Sequence, residues 1–130
     1  MKHGTHFLFA AILLFGSMSI ATSEVDAQMA DRFGAIAYSP SARRFGSSWN
    51  QPDQATAEDA AMRICNRPDC QILVPLANSC GALAVARNGA YAWGGGDSLY
   101  NAKLNASNRC TRDNGSCKLI CSICSGGNTP

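Results

Sequence analysis

The sequence Gly34-Ala-Ile-Ala-Tyr38 returns, lightly altered, as Gly81-Ala-Leu-Ala-Val85, and the signals that follow each copy keep the same order. After a short polar turn come Phe45-Gly46 in the first copy and Trp93-Gly94 in the second. Ala57, Ala61 and Cys65 then correspond to Ala102, Ala106 and Cys110, spaced by four in both. Each copy closes with a cysteine that opens an apolar run, Cys70-Gln-Ile-Leu-Val-Pro-Leu-Ala77 and Cys117-Lys-Leu-Ile-Cys-Ser-Ile-Cys124. An internal repeat of this length is one supersecondary unit used twice. Each unit reads strand, strand, helix, strand. The expected class is therefore α+β: two β-β-α-β repeats, about 33–79 and 80–124, sharing a mostly antiparallel sheet with two helices packed on it.

Helical periodicity is clearest in the first copy, where Ala57, Ala60, Ala61, Ile64 and Cys65 recur at i, i+3, i+4, i+7 and i+8. Thr56 is the expected N-cap, with Asp59 at N3 as an approximate capping box. The second helix is expected to open at Asp97 or Ser98 and to run to about Asn108. Small alanines on both inner faces let a helix lie close to a sheet. Strands are expected over Gly34 to Ser39, Gly81 to Ala86 and Tyr91 to Trp93. Pro75 has no amide hydrogen to give to a ladder, so the Ile72 to Ala77 strand is an edge, carries a bulge, or stops at the proline. Gly94-Gly-Gly-Asp97 reads as a connector before the helix, with an anion-binding nest or a calcium loop as the rarer use of such a run.

The N-terminus has its own logic. Lys2 precedes an uncharged apolar run from Phe7 to Ala21, shorter than the roughly 20 residues that cross a bilayer and followed by Glu24 and Asp26. This is the pattern of a signal peptide, residues 1–27, cleaved after Val25-Asp26-Ala27. The expected order is then a short tail at 28–32, one domain at 33–124 and a flexible C-terminal tail at 125–130. No stable membrane insertion is expected once the signal is removed.

All seven cysteines lie downstream of that segment, as expected of a chain oxidised after export. Repeat symmetry pairs Cys65 with Cys70 and Cys110 with Cys117, each tying a helix end to the next strand. Cys80 with Cys124 would join the ends of the two copies and leave Cys121 as the free thiol, although Cys121 and Cys124 could exchange roles. A metal at Cys121-x-x-Cys124 is disfavoured, because a structural zinc site takes four ligands and neither a second such pair nor a downstream histidine is present.

Both histidines, His3 and His6, fall in the signal segment. Without histidine the mature chain has no Ser-His-Asp or Cys-His machinery and lacks the commonest neutral-pH base. Glu58 is its only glutamate, so an acid-base pair would have to come from Asp31, Asp53, Asp59, Asp69, Asp97 and Asp113. Those sit mostly where turns and helix caps are expected. Ten of the eleven Lys and Arg and seven of the nine acids remain, a formal charge of +3, too mild to imply nucleic acid. No cofactor fingerprint follows. Binding chemistry is concentrated in Arg43-Arg44-Phe45 with Trp49, a basic and aromatic hairpin of the composition found at protein interfaces.

These motifs, with Asn78-Ser-Cys-Gly-Ala-Leu-Ala84 and Tyr91-Ala-Trp-Gly94, resemble the DUF4189 family of small secreted bacterial proteins, which has mycobacterial members. The resemblance runs from about Phe33 to Cys124. It implies export and a stapled domain without an established catalytic site, and for some members action on a host. The expectation is a secreted, periplasmic or envelope binding protein without catalytic activity, whose partner is an unidentified protein of the host or the envelope. A small hydrolase or thiol enzyme using aspartates or Cys121 is the competing expectation.

Overall fold

The computed structural model describes residues 31–127. The expected signal segment therefore lies outside the described residues. The elements are β1 (Phe33–Ser39), β2 (Arg44–Gln51), α1 (Gln54–Cys65), β3 (Gln71–Ala77), β4 (Cys80–Ala86), β5 (Tyr91–Gly96), α2 (Leu99–Asn114) and β6 (Cys117–Cys124). Two β-β-α-β units are present, and all the strand pairings are antiparallel.

Side chains alternate across a strand, and in both central strands the two faces differ in size. In β1, Ala35 and Ala37 face α1, while Ile36 and Tyr38 point the other way. In β4, Ala82, Ala84 and Ala86 face α2, while Leu83 points the other way. The small face admits a close helix; the large face needs a second apolar surface. The strands accordingly form two three-stranded sheets, β2-β1-β3 and β5-β4-β6, rather than the single shared sheet expected from the repeat. A shared sheet with both helices on one side would leave Ile36, Tyr38 and Leu83 in water. Two sheets packed face to face bury them with Val74, Leu76, Cys121 and Ile123, each large aliphatic side chain contributing about 1.5–3 kcal/mol. The result is four layers: helix, sheet, sheet, helix.

Close approach explains several glycines. A β-carbon on Gly46 would meet the Ala61 carbonyl and the Cys65 amide, and one on Gly94 would meet the Ala106 amide. Gly81 faces the other sheet, where a β-carbon would lie 2.8 Å from Val74 Cγ1. Gly94, Gly95 and Gly96 are thus strand residues of β5 and not a connector. Gly94 and Gly96 both lie against α2.

Helix boundaries differ from expectation for local reasons. Asp53, not Thr56, caps α1: its carboxylate accepts from Thr56 N at 2.8 Å and from Thr56 Oγ1 at 3.0 Å. Thr56 is therefore N3, and the helix begins three residues earlier than its apolar stripe suggests. Ser98 caps α2, accepting from Asn101 N at 3.1 Å. That helix continues to Asn114, because no breaker interrupts it before Gly115, whose φ is +73°. Pro75 lies on β3, an edge strand, and a register shift falls where Ile36 and Ala37 pair with Val74 and Ile72.

The expected tails are both tied down where they are described. Ser125 is buried, accepts from Asn50 N at 2.6 Å and donates to Ser79 O at 2.8 Å. Arg32 N donates to Asn78 Oδ1, and Asn78 Nδ2 donates to Asp31 Oδ1. The two Ser125 bonds join the second unit to the first, and the two Asn78 bonds fasten residues 31 and 32 to the end of the first unit, all where the chain crosses between the units.

Candidate functional site

The hairpins β1–β2 and β4–β5 lie side by side at the opposite end of the inter-sheet core. The first turn is fixed by Asp69, which accepts from Ser39 Oγ at 2.6 Å and from Ser41 N at 3.0 Å. Those two bonds hold the Asp69 carboxyl down at about 2. The chain then enters the left-handed region at Arg43, φ +50°, an unusual conformation for a residue with a β-carbon. Arg43 crosses to the second hairpin, donating from Nη2 to Arg87 O at 3.3 Å. Gly89, φ +88°, leaves room for the guanidinium above it.

Arg43, Arg87 and Lys118 line one concavity of about 250 Å³ together with Tyr38, Val85, Ala86 and Ile120. Three cations come from three separate segments, and none of the lining residues is acidic. The inner wall is apolar and belongs to the inter-sheet core. Tyr38 is fully buried, its ring edge-on to Tyr91 with centroids 5.0 Å apart. Its hydroxyl has no hydrogen-bond partner. Burial raises the pKa of that hydroxyl, and the nearby Arg43 charge works against the rise.

A second concavity of about 360 Å³ lies on the opposite face of β4–β5, between β5 and α2. The Arg109 guanidinium stacks 5.1 Å above the Trp93 ring and also donates to Trp93 O at 3.2 Å. Asn105 Nδ2 donates to Gly95 O at 2.8 Å. Asn105 and Arg109 are thus engaged with the protein itself, and Asn108 and Arg112 line the same concavity.

The hairpin residues singled out in the sequence are dispersed. Arg43 joins the mouth between the sheets, Arg44 is exposed at the start of β2, and Trp49 lies near the other end of that strand. At 3.3 Å per residue, Trp49 and Arg43 are separated by roughly 20 Å. Trp49 instead flanks a shallow apolar surface with Ala60 and Ile64. Tyr38, Arg87 and Lys118 were not among the singled-out residues. One signal for Tyr38 was available: the repeat aligns it with Val85, so a hydroxyl stands where the other copy carries only methyl groups.

Cys65–Cys70, Cys80–Cys124 and Cys110–Cys117 are bridged, and Cys121 is free. Cys121 is buried between the sheets, where desolvation pushes its thiol up to about 11. The aspartates serve separate turns: Asp53 caps α1, Asp69 holds the first hairpin, and Asp97 accepts from Asn101 Nδ2 at 2.8 Å. Among the described residues, no cluster of three or more His, Cys, Asp or Glu side chains is placed to hold a metal.

The family model described as "Domain of unknown function (DUF4189)" matches residues 33–124. The chain belongs to the DUF4189 family. Its matched span begins at β1 and ends with β6, so the DUF4189 domain is the whole four-layer unit. Among the relatives of this DUF4189 chain are Protein Rv1269c of Mycobacterium tuberculosis and Protein Mb1300c of Mycobacterium bovis. Each is 41% identical over 80 residues, a match covering 62% of this chain and 62% of the relative. The matched region thus spans less than two thirds of those relatives' length. The NMR structure of Rv1813c from Mycobacterium tuberculosis shares the fold, with a TM-score of 0.57 at 24% identity, covering 95% of this chain and 99% of that one.

Proposed function

We propose that this DUF4189 protein is an exported, disulfide-stabilised binding protein that holds an anionic partner at the mouth between its two sheets and performs no chemistry on it. The observation that carries this reading is the convergence of Arg43, Arg87 and Lys118 on one concavity without an acidic residue in its lining. Clustered cations raise the local concentration of anions and draw them in, and guanidinium groups recognise carboxylate or phosphate oxygens with two donors each.

Several features favour binding over catalysis. A thiol pushed up to about 11 is a poor nucleophile at neutral pH. Asp53, Asp69 and Asp97 are occupied at three different turns. Three disulfides in about 100 residues suit an oxidising compartment, which supports a working place in the periplasm, in the envelope or outside the cell. The partner class follows from charge: an acidic group presented by the host or by the envelope.

Inorganic phosphate is the minimal probe. Titrated into the oxidised, isotope-labelled mature protein at low ionic strength, it is expected to shift resonances of Arg43, Arg87 and Lys118 saturably. The variant Arg43→Gln/Lys118→Gln is expected to lose that response. Shifts spread evenly over all basic residues, or none, would contradict the reading.

A further inference from the structure

Resting on that reading, we infer that the mouth between the sheets is a pocket for a small amphipathic carboxylate, with the buried Tyr38 hydroxyl as the donor that meets its oxygen. The concavity is two-sided in chemistry. Arg43, Arg87 and Lys118 form a cationic rim, whereas Val85, Ala86, Ile120 and the Tyr38 ring form apolar walls. A bare anion would use the rim and leave the walls wet. An apolar ligand would use the walls and leave three cations facing it. A carboxylate with a short hydrocarbon body satisfies both.

The Tyr38 hydroxyl is the independent sign that something polar belongs here. A buried tyrosine oxygen is normally hydrogen-bonded, yet this one has no partner in the protein, and the side chain that carries it lines the pocket. The hydroxyl is closed to solvent in the unliganded fold, so a ligand oxygen meets it only as the side chains at the mouth move apart. Its repeat counterpart is Val85, which fills the equivalent inward position without any hydroxyl. A phenolic O–H donating to a carboxylate is a charge-assisted hydrogen bond, among the stronger kinds available to a neutral side chain.

Size bounds the ligand. The concavity, about 250 Å³ and open on one side, suits a short-chain carboxylate better than a long one. Hexanoate, a carboxylate on a five-carbon body, is the probe of that class. Longer chains would have to leave through the open side of the mouth.

The test is a titration of the full mature, oxidised protein with hexanoate, acetate and inorganic phosphate, read by chemical shifts and calorimetry. Hexanoate is expected to bind saturably at the mouth, at least tenfold tighter than acetate. Tyr38→Phe is expected to weaken hexanoate about tenfold without lowering the melting temperature, and to leave phosphate unchanged. Arg112→Gln, in the Trp93 concavity, is expected to change nothing. If phosphate perturbs the mouth but hexanoate binds no tighter than acetate, the amphipathic assignment falls while the anionic reading stands. Unchanged hexanoate affinity in Tyr38→Phe overturns the role of that hydroxyl. No response to any of the three anions overturns both.

Discussion

Gly46 and Gly94 occupy equivalent places in the two units, each at the point where an edge strand runs beneath its own helix with no space for a β-carbon. The backbones there are in contact: Gly46 lies under the Ala61 carbonyl and the Cys65 amide, and Gly94 under the Ala106 amide and Asn105. The alanines that line α1 and α2 would lose this proximity if either glycine gained a methyl group.

Gly46→Ala and Gly94→Ala should therefore each destabilise the fold by about 3 kcal/mol, at the upper end of overpacking costs because the opposing atoms are backbone. Gly95→Ala, whose β-carbon would meet only Cys80 O at 3.7 Å, should cost under about 1 kcal/mol. Urea unfolding of the three variants checks the order; equal effects at Gly94 and Gly95 would refute the packing account.

The bridge between Cys80 and Cys124 spans 44 residues, against 5 for Cys65–Cys70. Loop-closure entropy then predicts that removing the first pair, as Cys80→Ser/Cys124→Ser, costs about 4 kcal/mol, and removing the second about 2 kcal/mol. Calorimetric melting of the two double variants measures the difference.

Cys121 should resist alkylation in the folded protein at pH 8 and react fully once the chain is unfolded. Its folded value, about 11, stands above the unfolded one of 9.0. The protonated thiol thus favours the native state below pH 9, and that contribution is lost as pH rises through about 11. Cys121→Ala should flatten the fall in melting temperature between these values; an unchanged profile would show that the thiol is not desolvated.

The sequence made the repeat, both helix faces and the cysteine pairs legible, because Ala57, Ala61 and Cys65 with Ala102, Ala106 and Cys110 encode helix contact directly. It concealed the two-sheet arrangement. Alternation in Gly34-Ala-Ile-Ala-Tyr38 shows that two faces differ, but not that the larger face meets another sheet instead of solvent. Arg43 stood out from the composition of its hairpin, and the structure places it at the mouth between the sheets. Its neighbours Arg87 and Lys118 did not stand out, since the β4–β6 pairing brings those two together and only the stacking of the sheets brings them to Arg43. Trp49 belonged to the same short segment as Arg43, and strand extension carries it to the far end.

An unpaired buried hydroxyl burdens the fold, so Tyr38→Phe should raise stability by about 1–2 kcal/mol in the absence of ligand. Denaturant unfolding without added anions checks this. A destabilised variant would mean that Tyr38 already has a partner.

The central claim is that a carboxylate with an apolar body enters between the sheets at Tyr38. Isotope-filtered nuclear Overhauser contacts in the hexanoate complex test it most directly. The account predicts contacts from the ligand methylenes to the methyl groups of Val85 and Ile120 and to the Tyr38 ring. Contacts confined to Trp93 and Arg109, or to the Trp49 and Ile64 surface, would contradict it.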